Sequence, residues 1–145
     1  MTTARHLATI DRLRTLPFPA RPGRTDAGSG GAGHHLAELA TSEDFWEDDG
    51  TRREAAEEQY EAERDALAVV LTARWGEPQM FSLWSLFERG ARGEELPEPW
   101  GTLSQSVPDV HLWRVEERWI ALGVSQWDGE LPFQLLAVIT EVDPP

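Results

Sequence analysis

Apolar residues near the N-terminus recur at helical spacing. Four of them follow one another at steps of three: Leu7, Ile10, Leu13 and Leu16. With Thr2 or Thr3 available as the N-cap, this spacing predicts a short amphipathic helix over residues 2–16. Pro17 and Pro19 would end it.

Between Pro17 and Gly50 the apolar periodicity is lost, and proline, glycine, serine and acidic residues dominate. Such a composition is typical of loops. Only residues 35–40 keep a weak helical pattern. We therefore expect residues 17–50 to form a long flexible linker or lid.

The strongest helical pattern begins at Thr51, where Thr51-x-x-Glu54 matches the capping-box motif. Apolar residues then keep helical spacing to Trp75, and Gly76 and Pro78 supply a stop. The pattern predicts a helix over residues 51–75. Its first half is acidic and must face water, whereas its second half is apolar nearly all round and should be buried.

After Pro78 the pattern becomes alternating, so residues 79–87 are predicted to form a strand. Residues 88–108 contain several glycines and prolines, which favours a loop with a helical turn near 100–106. Residues 110–115 and 118–124 flank a two-residue turn and predict a hairpin. The hairpin would set two pairs of residues opposite each other: Trp113 with Ile120, and Arg114 with Trp119.

A turn signal at Asp128-Gly129 precedes a last predicted strand over residues 131–142, whose 135–139 run is apolar on both faces and should be central or covered by helices. The fold expected for residues 1–145 is one α+β domain. One or two N-terminal helices would pack on a three- or four-stranded antiparallel sheet, as a two-layer sandwich.

The composition excludes several kinds of chemistry. There is no cysteine and no lysine among the 145 residues. Disulfides, thiolate metal sites and cysteine nucleophiles are therefore impossible, as are P-loop, Schiff-base and pyridoxal phosphate sites that need lysine. No cofactor is expected. The chain also shows neither a secretory signal nor a membrane-spanning run, so a cytoplasmic location is the default expectation.

The net charge is −13, and most of the acids lie after residue 53. A strongly negative domain repels a phosphate backbone, so nucleic acid is not an expected partner, whereas a basic protein or a cation would be attracted. No membrane partner is expected either. The charge also has a simpler explanation, which is solubility.

Three motifs suggest chemistry, each with an ordinary structural alternative. Residues 28–33 match Gly-x-Gly-x-x-Gly, yet no buried strand precedes them, so a flexible linker is favoured over a dinucleotide site. His34, His35 and Glu38 would form part of a metal site if this segment were helical and rigid.

The third motif is His111, which would act as a general base if Asp109 or Asp128 oriented it, with Ser104 or Ser106 as nucleophile. The acids of the long helix resemble a solvated helix face rather than a catalytic pair.

Tryptophan is abundant, with seven residues, and three of these lie in loop-like segments. Exposed tryptophan commonly marks a contact surface, and neighbouring acids would suit a basic partner. The candidate partner-binding residues are Trp46, Trp100, Trp127, Glu98 and Asp128.

Two segments, PEPWGTLSQSVPDVHLWRV (97–115) and RWIALGVSQWDGELPFQLLAVIT (118–140), resemble those of small uncharacterised proteins from high-GC Gram-positive bacteria. The resemblance implies a bacterial origin and a shared scaffold, and it carries over no catalytic or binding residue.

Two functional hypotheses remain. The first is a non-enzymatic interaction protein, similar to an immunity protein or adaptor, that uses an acidic surface bearing tryptophan. The alternative is a small-molecule-binding or enzymatic domain in which residues 17–50 close over a pocket between helix and sheet.

Overall fold

A computed structural model describes residues 2–145, which form four helices and a seven-stranded antiparallel sheet. The α+β class is as predicted. In chain order the elements are α1 (Thr2–Thr15), β1 (Gly23–Arg24), β2 (Gly28–Gly31), β3 (His34–Thr41), α2 (Thr51–Trp75), β4 (Gln79–Ser82), α3 (Trp84–Ala91), α4 (Trp100–Ser104), β5 (Asp109–Val115), β6 (Arg118–Ser125) and β7 (Gln134–Thr140). No helix within the described residues is long and apolar enough to cross a membrane.

The sheet has the strand order β1-β2-β3-β7-β6-β5-β4, so the predicted number of three or four strands was wrong. Residues 17–50, expected to form a linker or lid, contribute the three additional strands. They pair because β3 lies beside β7, with His35 opposite Ile139 and Ala37 opposite Ala137. The glycines of β2 have little strand propensity of their own, and this is why the local pattern did not show the strand.

Strand β7 lies at the centre of the sheet, as its apolar run predicted. Alternate residues of a strand point to opposite faces. Leu135, Ala137 and Ile139 enter one hydrophobic core, and Leu136 and Val138 enter a second core on the other face. Both faces of this strand are therefore buried.

Different helices cover the two faces. Helices α1 and α2 supply Ile10, Leu13, Leu67 and Leu71 to the first core. Helices α3 and α4 supply the second core, to which they contribute Leu86, Trp100 and Leu103. The sheet therefore lies between α4 and the long helix α2.

Helix α2 has the predicted bounds but not the predicted cap. Gly50 is the N-cap residue and makes no side-chain cap bond. Instead the Asp48 carboxylate accepts hydrogen bonds from the backbone N–H groups of Arg52 at 3.2 Å and Arg53 at 2.9 Å. Desolvation raises the pKa of Asp48, but these backbone donors outweigh it and hold the pKa below its usual value.

The hairpin of β5 and β6 has the predicted register, with Trp113 opposite Ile120 and Arg114 opposite Trp119. The strand predicted over residues 79–87 was half wrong, because it ends at Ser82 and α3 begins at Trp84. Leu83 and Leu86 are both buried, which is the three-residue spacing of one helix face. The helical turn predicted near residues 100–106 is confirmed as α4.

Candidate functional site

Two loops, residues 42–50 and 126–133, meet at one end of the sheet. The Phe45 N–H donates to the Glu130 carbonyl at 2.8 Å, and the Ser42 N–H donates to the Phe133 carbonyl at 2.8 Å. The rings of Phe45 and Phe133 pack edge to face, 5.9 Å between centroids, and both are buried. Long-range backbone bonds and a buried aromatic pair thus fix the two loops together.

The surface of this end carries aromatic and acidic side chains. Trp46 is 64% exposed and Trp127 is 52% exposed, and Asp128 is also exposed. We call residues 43–49 and 127–130 the tryptophan end. Its acidic residues are Glu43, Asp44, Glu47, Asp48, Asp49, Asp128 and Glu130, and it contains no basic residue.

Neighbouring arginines neutralise only part of this charge. Arg52 pairs with Glu43 at 3.1 Å and with Asp48 at 3.4 Å. Arg53 instead donates to Gln126 at 2.8 Å and lies over the Phe133 ring. The tryptophan end therefore keeps an excess of negative charge around two exposed indoles.

Trp100, predicted to contact a partner, is fully buried, so that prediction was wrong. Its indole N–H donates to the Val142 carbonyl at 2.9 Å, and its ring packs edge to face against Phe81. Glu98 is exposed but precedes α4 and does not belong to the tryptophan end. The structure thus brings Trp46, Trp127 and Asp128 to one end and separates the other two.

The predicted metal ligands His34, His35 and Glu38 do not converge. They lie on a strand rather than a helix, so His34 and His35 point to opposite faces of the sheet. His35 is buried with its Nε2 at 3.0 Å from the Leu16 carbonyl, and Glu38 pairs with Arg24 at 2.8 Å. Within residues 2–145 no group of three or more histidines and acids is placed to hold a metal ion.

His111 and the two serines do not form a catalytic arrangement in the described part of the chain. His111 stacks on Trp113 on the first-core face, and its Nδ1 is buried without a hydrogen-bond partner. Burial lowers the pKa of His111, and Arg64 lowers it further. Ser104 belongs to α4, which packs on the other face, and its hydroxyl donates to the Gly101 carbonyl at 2.8 Å.

An exposed aromatic pair on α3 was not predicted from the sequence. Trp84 is 62% exposed and stacks on Phe87, 5.5 Å between ring centroids. The pair borders a shallow groove of about 380 Å³ that Ser104 and Val107 also line. The groove was missed because the segment was predicted to be a strand, whereas it is helical from Trp84 onwards.

A larger cleft of about 630 Å³ lies between the glycine-rich strand β2 and the start of α4. Residues 28–33, the Gly-x-Gly-x-x-Gly motif, thus form strand β2 and the turn that leads into β3, and they do not precede a helix. His34 and Glu98 both line this cleft, which the sequence did not predict.

The chain matches no protein-family model, no curated protein and no solved structure. The functional assignment therefore depends on the geometry of these surfaces.

Proposed function

We propose that the protein is a non-enzymatic interaction domain whose tryptophan end binds a basic region of a protein partner, as an immunity protein or an adaptor would. The observation that carries the proposal is the exposure of Trp46 and Trp127 on two joined loops with seven acidic residues and no basic one. Tryptophan is enriched at interaction hot spots, and a negative surface around it is complementary to a basic partner.

The exposed tryptophans and the acidic residues would both contribute to the free energy of binding a basic partner. A tryptophan side chain can bury roughly 150–250 Å², of which the exposed 64% at Trp46 and 52% at Trp127 is left for a partner to cover, and tryptophans at hot spots contribute about 2 kcal/mol or more to binding. The acids add electrostatic steering, which raises the association rate with a basic partner and falls as salt is added. The packing of Phe45 against Phe133 already holds the two loops together, so binding a partner costs little conformational entropy.

The proposal is tested by using the tagged protein as bait in a lysate of its own cells. The wild type is expected to recover a basic protein at low salt and to release it at roughly 0.5 M salt, where the Debye length is about 4 Å. The double variant Trp46→Ala/Trp127→Ala is expected to lose that protein.

Trp84→Ala is the matched control, because Trp84 is equally exposed but lies on α3. It should recover the partner as well as the wild type does. Recovery of no protein above background at low salt would contradict the proposal, and so would equal recovery by the wild type and the double variant.

A further inference from the structure

The two edges of the sheet differ in how open they are to another strand. Strand β1 forms one edge with only two residues, and the guanidinium of its Arg24 bonds Glu38 at 2.8 Å. A very short strand and a charged side chain both discourage pairing. Strand β4 forms the other edge with four residues, none of which is charged. The β4 edge is therefore the one that can accept an additional strand.

The backbone of β4 has unused hydrogen-bonding groups. The Leu83 N–H donates to the Pro108 carbonyl at 2.9 Å, in the same register that pairs β4 with β5. Because hydrogen-bonded pairs alternate along an antiparallel ladder, Phe81 bonds β5, while Met80 and Ser82 turn their N–H and C=O groups away from β5. No other strand of the described chain lies on that side.

Apolar side chains are exposed on both sides of this edge. Among the described residues, four of the seven exposed large hydrophobic side chains lie here. Val69 of α2 and Met80 line a groove on the first-core face, and Trp84 and Phe87 of α3 border the groove on the second-core face. Their exposed fractions are 70%, 61%, 62% and 41%. We call these four residues, together with β4, the edge strip. A contiguous apolar strip of this kind is typical of a protein interface.

The acids beside the edge strip are partly neutralised, although the chain as a whole has a net charge of −13. Asp65 pairs with Arg64 at 3.0 Å, and Glu88 pairs with Arg92 at 3.2 Å. The strip thus lacks the excess negative charge that a basic partner would recognise. It can instead approach an identical strip without placing like charges against each other.

We infer that the edge strip binds a second copy of this chain, with the two β4 strands antiparallel. The register that uses all of the outward backbone groups sets Met80 of each copy opposite Ser82 of the other. This pairing makes about four backbone hydrogen bonds and places the two-fold axis at Phe81. It joins the two sheets into one continuous sheet.

The same register keeps the other acids near the strip apart. At about 3.4 Å per residue and about 4.8 Å between strands, the Cα atoms of the two Glu77 residues would be roughly 27 Å apart, and those of the two Asp109 residues roughly 16 Å apart. Both separations exceed the Debye length of about 8 Å at physiological salt. The net charge of each copy is then what opposes association, so added salt should strengthen the dimer.

Sedimentation equilibrium of the purified chain, at concentrations on the order of 5–500 µM, measures the association. The edge strip is small for an interface, so we expect a dimer with a Kd of roughly 10–100 µM at about 0.15 M salt. The Kd should fall at least about twofold at roughly 0.5 M salt. Binding of a basic partner to the tryptophan end has the opposite salt dependence, and this measurement needs no partner, so the two proposals can fail separately.

Two variants of Ser82 test the backbone pairing. Ser82→Pro removes an outward N–H and leaves the bonds to β5 in place, so it should raise the Kd at least about tenfold. Ser82→Ala is the matched control. Both variants lose the hydroxyl that accepts the Trp84 N–H at 3.3 Å, but the alanine keeps its own N–H and should dimerise as the wild type does.

Met80→Glu tests the apolar part of the strip and serves if Ser82→Pro does not fold. It places two like charges close to the two-fold axis and should raise the Kd at least about tenfold. Trp127→Glu is its control, because it adds the same charge at a residue of similar exposure in the tryptophan end. It should leave the Kd within about twofold of the wild type.

Three results would overturn the inference. The first is a chain that stays monomeric at every concentration and both salt levels, which would leave the β4 edge to a strand of another protein or to none. The second is an equal Kd for Ser82→Pro and Ser82→Ala. The third is an equal weakening by Met80→Glu and Trp127→Glu, which would place the contact elsewhere.

Discussion

At the scale of single residues, tryptophans with similar local sequence have opposite environments. Trp46 and Trp100 both follow acidic, loop-like segments. Trp46 remains exposed, whereas Trp100 is buried in the second core, where the Val142 carbonyl, 42 residues away, accepts its indole N–H. The sequence therefore suggested both tryptophans as contact residues. It could not show which one is exposed and which is buried, because burial depends on residues far along the chain.

Trp100→Ala should destabilise the protein by about 3–5 kcal/mol, because it removes a fully buried ring and a hydrogen-bond donor from the second core. Trp46→Ala should change the free energy of unfolding by less than about 0.5 kcal/mol. Urea unfolding followed by circular dichroism measures both. Similar losses in the two variants would show that the burial assignment is wrong.

His6 is a second residue whose environment has a measurable consequence. It lies on α1 and is buried, with Nε2 unpartnered, and desolvation lowers its pKa, an effect that Glu63 partly opposes. The unfolded chain takes up a proton on this imidazole as the pH falls through 6.5, whereas the folded protein resists protonation until a lower pH. The stability that His6 provides is thus complete above pH 6.5 and decreases below it.

The expected result is a free energy of unfolding that falls between about pH 7 and pH 5.5, with a shallower fall in His6→Leu. Urea unfolding at a series of pH values measures the two slopes. Parallel pH profiles for the wild type and the variant would rule out this role for His6, and the remaining slope would belong to other groups such as His34 and His111.

At the scale of elements, the sequence predicted the helices and strands whose own residues show a clear hydrophobic periodicity. Helix α2 and the β5–β6 hairpin have strong periodicity, and their bounds and register follow from it. Strands β2 and β3 have no such signal, because β2 is three glycines and a serine and the two leucines of β3 are three residues apart, which is not the spacing of one strand face. Strand β3 pairs with β7, about 100 residues further along the chain, and β2 pairs with β3, so no short window of sequence contains the information that stabilises them.

The β5–β6 turn offers a test at this scale. Glu116 and Glu117 adopt positive φ angles of 51° and 73°, the left-handed region required by a type I′ turn. Glutamate is strained in that region, whereas asparagine and glycine are not. Glu116→Asn/Glu117→Gly should therefore stabilise the protein by about 1 kcal/mol.

Thermal and urea unfolding measure this gain. Glu58→Gln/Glu95→Gln removes the same charge from exposed positions and is the control for reduced electrostatic repulsion. An equal gain in the two double variants would mean that charge, not backbone conformation, is responsible.

At the scale of the whole molecule, the candidate site depends on long-range assembly. The sequence supplied Trp46, Trp127 and Asp128 as candidates because exposed indoles near acids suit a basic partner. It did not predict that their loops join, which requires the bonds of Phe45 to Glu130 and of Ser42 to Phe133. It also missed the exposed Trp84 and the cleft between β2 and α4, because both depend on elements whose type was predicted wrongly.

Amide hydrogen–deuterium exchange of the complex, compared with the free protein, tests the proposed interaction surface most directly. On binding the basic partner, peptides covering residues 43–49 and 127–130 should exchange more slowly, while those covering β2 and α3 should not change. Unchanged exchange at the tryptophan end, with protection elsewhere, would contradict the assignment of this surface.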